Sequence, residues 1–532
     1  MKKPSKEPVK SSSKNKVIAD FDIDKDYSKY YWIILPVLTL VYFAFSYLSN
    51  GFYQDDEVAH YINMRDFWSN PWIIMSNWGK PGWKIFLELP SLLGYKPVLL
   101  VNAFITALTA YFTIKLAKEM GMKNSLIAGV FFAFQPLILQ LSFRSYAEIL
   151  TGLFLVLTLY FYFKEKYILS ALICGYTFTA RQETALLAII LAVYFVYKKN
   201  YLPIIFLGVF PFIYNLIGFL HTGDYLWAWT EMKNLSEFNL GIERSFFHYF
   251  EVFIFIAGPV VFTCFLLGTV APYFSKNDFK EFYKKEFLIY LFFFVQFLFQ
   301  CYLVAKGTNP GSWRYILQAA PFSSLIALLG LNQVLDIRNK KYILPSLFVI
   351  ILIILLFLSK ESTGLLVTQT PEYLKLVTAV LLTAGSVIFI SWSREKKIMN
   401  FIVLLLILTL GYTFYTEKPK EQSPENVTVG QVAEYYESNF KNAPEVLYDH
   451  SLVIFYGKVF GSEKNKFKIL NTKSLEEAPK GTLVIWDSHY SYRPEYKNDC
   501  KLDVLENNTN YKPVNQFVSV DKRFAAYLFE KQ

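Results

Sequence analysis

Cysteine is scarce, with four in 532 residues. Cys174, Cys264 and Cys301 sit inside apolar runs and Cys500 stands alone, which excludes a disulfide framework and leaves no thiolate ligand spacing. Charge is thin as well, at 18% of residues, too little to coat a soluble chain of this length. The 24 glycines form neither a Walker loop nor a GxGxxG fingerprint, so a nucleotide site is not indicated. No cleavable secretory signal is seen. The net charge of +10 comes without a basic stripe interleaved with aromatics, which argues against nucleic acid as a partner.

What is abundant is apolar surface: 54% of the chain is hydrophobic and 19% aromatic. A transmembrane helix needs ~20 mostly apolar residues, and roughly thirteen windows approach that length. They are 30–49, 98–117, 124–141, 145–163, 167–180, 184–197, 201–220, 250–272, 287–305, 314–335, 342–358, 372–392 and 398–415. The fold predicted is an all-α polytopic membrane body over 30–416. A polar cytosolic tail (1–29) precedes it and a small extracytoplasmic α/β domain (417–532) follows.

With the amino terminus inside, alternation places the connections at Lys115–Lys123, Lys164–Lys166, Lys198–Lys199, Lys276–Lys285, Arg338–Lys341 and Arg394–Lys397 in the cytoplasm, and each is basic. The carboxyl terminus is then outside, in what reads as a bacterial inner membrane. Nearly all the chemistry falls on the outer side: 50–97, Arg144 to Glu148, Arg181 to Glu183, 221–249, 306–313 and the tail.

The first outer loop opens with Asp55, Asp56 and Glu57, followed by His60. On a helix, Asp56, Glu57 and His60 share one face. Asp55 is either a helix cap with dipole-compensating acids behind it or part of a reactive group. Asp55, Asp56 and His60 are also the candidate ligands of a divalent cation, Mg²⁺ or Mn²⁺. Trp68, Trp72, Trp78 and Trp83 among apolar neighbours suggest amphipathic helices lying at the lipid headgroups.

Further charges lie at the outer edge. Arg144 and Glu148, four apart, read either as an exposed helix pair or as substrate contacts. Arg181 and Glu183 join short spans and so are placed at membrane depth, where ionisable groups are costly and functional. Arg314, next to Tyr315, either snorkels to the interface or grips phosphate with its planar fork. His221 and Asp224, with Trp227 and Trp229, suggest a second outer surface for sugar or lipid, although interfacial anchoring explains the tryptophans equally.

The acidic group in DEVAHY, directly after the first span, resembles the Asp-Glu motif in the first outer loop of the GT-C glycosyltransferases. It is similar to the protein O-mannosyltransferases, the aminoarabinose transferases and the GPI-type mannosyltransferases. KPGWKIFLELPSLLG (80–94), SFRSYAEIL (142–150), ARQETALLA (180–188) and GSWRYILQAAP (311–321) resemble further outer-edge motifs of that superfamily, in the same order. The HPDE form of the GPI enzymes is missing. The resemblance implies transfer of a sugar, mannose or a related hexose, from a polyprenyl-phosphate donor to a glycan, lipid or protein acceptor, with inversion. It puts the general base at Asp56, with Asp55 as runner-up. Glu57 and His60 would position it, and arginines or a metal would hold the phosphate.

A transporter or flippase of lipid-linked sugars would share the spans and outer arginines but is expected to show internal repeats and midplane sites. A polysaccharide polymerase or ligase is the other enzymatic alternative. In the tail, 429–440 reads as a helix, 445–448 as a strand and 482–486 as a buried strand ending at Asp487. Ser488-His489-Tyr490 follows without a nucleophile elbow, so the tail is expected to cover the outer cavity or help bind the acceptor.

Overall fold

The computed structural model describes residues 22–532 except 77, 238–243, 275, 336–339, 359–369, 393–397 and 494–497. The lysine-rich start of the chain and the basic positions at 338 and 394–397 lie outside the described residues.

Among the described residues the body carries helices and no strand. Six helices among the described residues are long and apolar enough to cross a membrane, including Ser28–Leu48, Tyr95–Glu119, Glu286–Ala305 and Trp313–Leu335; a seventh is reached if one sharply bent pair counts as a span. Five shorter apolar helices accompany them, including Ala147–Phe163, Tyr167–Ala180 and Gln182–Tyr197. The chain is thus a multi-pass membrane protein, and the number thirteen is not established.

Two windows that read as continuous are broken. In 124–141 the helix Ser125–Ala133 stops and Pro136–Leu141 restarts, because Pro136 lacks an N–H and holds Gln135 extended (ψ 134°). In 250–272, His248–Ala257 and Pro259–Tyr273 meet at 119°. Gly258 there takes φ 79°, which L side chains rarely adopt, and Pro259 opens the second helix. The bend packs on Pro136 and Tyr412.

Small residues draw the core helices together. A Cβ on Gly330 would lie 2.0 Å from the Cys264 carbonyl oxygen, and one on Gly268 would lie 2.2 Å from that of Ile326. Backbone contact of this closeness is open only to glycine.

The tail begins at a helix, Pro424–Asn439, earlier than hydropathy indicates. Ser423 caps it, accepting from the Asn426 amide at 3.1 Å, and Pro424 fills the first turn, where no N–H is needed. Strands β1 (Val446–Tyr448), β2 (Phe467–Ile469) and β3 (Leu483–Asp487) are parallel. A short ribbon, β4 (Tyr492–Arg493) with β5 (Asn498–Asp499), precedes the antiparallel pair β6 (Tyr511–Val518) and β7 (Ala525–Lys531). The main sheet runs β2-β1-β3-β7-β6.

One helix joins body and tail. Asp56–Asp66, directly after the first span, buries Val58 and Ile62 in the tail's core and Tyr61 and Met64 in the body's core. Lys464 of the tail pairs with Asp66 at its end. The rest of the loop, in the short helices Pro81–Lys84 and Glu88–Leu92, leaves Ile85, Phe86, Leu89 and Leu93 exposed, as a segment resting on lipid requires.

Candidate active site

The three consecutive acids fan out to three partners. Asp55 occupies the cap position of the helix Asp56–Asp66, yet its side chain caps nothing; its carboxylate accepts from the Tyr490 hydroxyl of the tail. Asp56 accepts from Arg314 Nη2 at 2.6 Å. Glu57 is buried against Arg144 at 2.9 Å and accepts from the Tyr95 hydroxyl at 2.5 Å and the Tyr53 amide at 3.1 Å. The common face read from the spacing therefore does not form a common site.

His60 is buried between Trp78 (ring centroids 4.5 Å apart) and Trp83 (5.1 Å), and its Nδ1 has no hydrogen-bond partner. Burial, reinforced by Lys84 and Lys80, keeps its pKa well below the ordinary imidazole value, so it is neutral. Among the described residues no three His, Cys, Asp or Glu side chains converge as a metal site. Asp55, Asp56 and His60 do not gather around one cation: Asp55 turns to Tyr490, Asp56 to Arg314, and His60 lies between Trp78 and Trp83.

Arg144 and Glu148 are neither exposed nor paired with each other. Arg144 is 1% exposed and donates to Glu57, to the Gly51 carbonyl at 3.0 Å, to Ser49 Oγ at 3.0 Å and to the Gln140 carbonyl at 3.0 Å. Residue 144 precedes the helix, which begins only at Ala147, so the i,i+4 relation to Glu148 never arises. Glu148 instead holds Arg181 at 2.6 Å, and Glu183 holds the same guanidinium at 2.5 Å. Two carboxylates thus neutralise Arg181.

Arg314 is different. It sits on the 3₁₀ turn Trp313–Ala319, stacked on Tyr146 (4.6 Å) and Tyr315 (5.3 Å), and the face of Tyr315 also carries Arg181 at 5.0 Å. Its Nε and Nη1 are buried without an acceptor, and its one carboxylate, Asp56, is itself 42% exposed. A buried cation with spare N–H groups beside an accessible carboxylate keeps donors for a further acceptor.

Two lysines of the 80–94 segment, not singled out from the sequence, add to this field. Lys80 takes a left-handed backbone (φ 56°) just before Pro81. Burial, with Arg181 and Arg314 nearby, lowers its pKa to about 8. Lys84 is fully buried over Trp78 (4.9 Å) with no partner at Nζ, and burial with Lys80 brings it to about 7. Beside the site is a cavity of about 350 Å³ walled by Tyr53, Gln54, Gln140, Ser312, Trp313 and Lys420.

The other predicted surface stands apart. His221 stacks on Trp72 (3.7 Å), Asp224 accepts from the Leu226 amide at 2.9 Å, and Trp227 is packed on Tyr214 (4.8 Å). Asp224 shapes a turn and Trp227 is core, and neither touches Asp56 or Arg314.

No protein-family model and no curated protein sequence matches the chain. Solved structures do. ArnT from Cupriavidus metallidurans bound to undecaprenyl phosphate superposes with a TM-score of 0.59 at 11% identity, covering 94% of this chain and 98% of that one. Its apo state gives 0.60 at 10% identity with the same coverage. The chain has the fold of ArnT, the fold that the sequence resemblance implied.

Proposed function

We propose that the chain is a membrane glycosyltransferase that takes a sugar from a polyprenyl-phosphate carrier and passes it to an acceptor hydroxyl on the outer face. The observation that carries this reading is Arg314, with two buried, unused donor nitrogens, bonded to the accessible carboxylate of Asp56. The fold supports it, being that of an ArnT whose structure holds undecaprenyl phosphate. A groove of about 280 Å³ lined by Phe253, Phe262, Phe265, Phe293 and Phe297 suits a polyprenyl chain.

The donor phosphate takes the free edge of Arg314, with Lys80 as a second cation, and displaces Asp56 from the guanidinium. Asp56 then accepts the proton of the acceptor hydroxyl. The acceptor oxygen bonds to the anomeric carbon as the carbon–oxygen bond to phosphate breaks, and the phosphate leaves with the electron pair, its charge held by Arg314. The charges come from the protein, so turnover persists in a chelator. Mannose and related hexoses are the donors to assay, against glycan, lipid and protein acceptors. The tail faces outward and the amino terminus the cytoplasm.

Purified protein in liposomes, given polyprenyl-phosphate hexoses, tests the reading. Asp56→Asn should remain folded and lose ~10²-fold or more in turnover, the usual scale for a general base; Asp55→Asn should lose less. Full activity of Asp56→Asn removes it from the chemistry, and the reverse ranking transfers the role to Asp55.

A further inference from the structure

The tail sheet has the strand order 2-1-3 at its parallel side. In such sheets the crevice beyond the carboxyl ends of the strands, where connections depart in opposite directions, is where function-bearing loops gather. Here that edge meets the acidic helix. His450 follows β1 and His489-Tyr490 follow β3. Asp487, buried at the end of β3, accepts from the His489 amide at 2.9 Å and the Tyr490 amide at 2.7 Å, fixing the loop.

The ring of Tyr490 is held on several sides. His489 stacks on it at 4.3 Å, Arg493 lies over it at 4.4 Å and His450 meets it edge-on at 4.8 Å. Glu425 Oε1 in turn accepts from His489 Nδ1 at 2.6 Å and His450 Nε2 at 3.0 Å. The hydroxyl of this clamped ring donates to Asp55. Asp55 has no side-chain bond to its own helix, so its direction is set by the tail.

We propose that Tyr490 is a positioning residue of the active site, supplied by the tail domain. It holds Asp55 outward so that Asp56 alone faces Arg314 and the acceptor. This rests on the glycosyltransferase reading above and assigns the tail a part in catalysis beyond covering the cavity. Without the tie nothing on its own helix holds the Asp55 carboxylate, because the backbone there is helical and the Glu57 and Val58 amides are already bonded to the Gln54 and Asp55 carbonyls, so it is free to swing beside Asp56.

Tyr490→Phe in the full chain keeps the ring and removes only the hydroxyl. Its kcat should fall roughly tenfold or more, with KM for the lipid donor unchanged because Arg314 still holds the phosphate. Combined with Asp55→Asn it should add nothing further, since both act through one bond. Independently of sugar transfer, carbodiimide labelling read by mass spectrometry should rise several-fold at Asp55 and stay level at Asp56. Lys464→Met loosens the same interface without touching Asp55 and should not change the labelling. Additive losses, or labelling unchanged in Tyr490→Phe, overturn the proposal. A wild-type-like Tyr490→Phe beside an inactive Asp56→Asn defeats this inference and leaves the proposed function standing. Raised Asp55 labelling beside a fully active Asp56→Asn does the reverse.

Discussion

Arg314 and Asp56, 258 positions apart in the chain, meet at 2.6 Å with the guanidinium 8% exposed and the carboxylate 42% exposed. The asymmetry matters more than the distance. A half-wet carboxylate leaves its partner at modest cost, whereas a guanidinium already buried with unused donors gains from a second anion. The residue expected from the sequence as base and the one expected as phosphate ligand therefore hold each other, and in the proposed function a donor phosphate on the guanidinium is what releases Asp56.

The buried pair Glu57–Arg144 gives a prediction about stability. Both side chains are 1% exposed, and Arg144 also ties Ser49 and Gly51 at the end of the first span. Breaking such a pair from one side leaves an uncompensated charge, at a cost of ~3–5 kcal/mol. Arg144→Met should sharply lower the melting temperature in detergent, and adding Glu57→Leu should restore part of it. A melting temperature unchanged in Arg144→Met would show that the pair carries no weight.

The sequence picked out charges that the fold brings together, Asp56 with Arg314 and Glu148 with Arg181, but misassigned the partner where the chain leaves the helix. Spacing offers Arg144 and Glu148 as a helical pair, one of two readings, yet Tyr146 is extended (φ −132°) and the helix starts after it, so Arg144 reaches Glu57 instead. Apolar runs reported the helices faithfully because burial in lipid or core demands them. The same runs concealed the breaks at Gln135 and Gly258, where proline and glycine outweigh hydropathy. The bond from Tyr490 to Asp55 spans 435 positions. No local pattern encodes it; only the strand order of the tail brings the two together.

Glu425 makes the tail's stability depend on pH. Burial raises its pKa, but hydrogen bonds from His450 and His489 outweigh burial and bring it to about 2, against an ordinary 4.5. The bond to Glu425, working against burial, raises His489 above 6.5. The Glu425 contribution is present above pH 4.5 and is lost as pH falls toward 2. That of His489 is full below 6.5 and is lost as pH rises through its raised value. The melting-temperature gap between wild type and Glu425→Gln should thus be widest at about pH 5–6 and narrow on both sides. A gap that does not vary with pH would mean that the triad is not coupled to folding.

Sidedness can be read with thiols, since all four native cysteines are buried. Asn70→Cys and Asn439→Cys place a thiol at exposed positions of the first loop and tail, and Lys199→Cys at an exposed connection. In intact cells the first two should react with an impermeant reagent, and the third only after permeabilisation. The opposite pattern would put the site in the cytoplasm and remove the reason for a lipid-linked donor.

The donor phosphate separates the two outer arginines. Arg314→Ala removes both the charge and the spare donors, and a charge-assisted hydrogen bond is worth ~1.5–3 kcal/mol. Its kcat/KM should therefore drop by roughly one to two decades. Arg314→Lys keeps a charge that can still reach Asp56 but loses the paired N–H geometry, so it should fall between. The loss should be the same for short and long polyprenyl carriers, because the contact is to the head group. Arg181→Ala should behave otherwise. It strands Glu148 and Glu183 in a buried site, so the yield of folded protein should suffer before the kinetics of what folds. Should Arg181→Ala fold well and lose more kcat/KM than Arg314→Ala, the phosphate belongs to Arg181, and Arg314 serves only to hold Asp56.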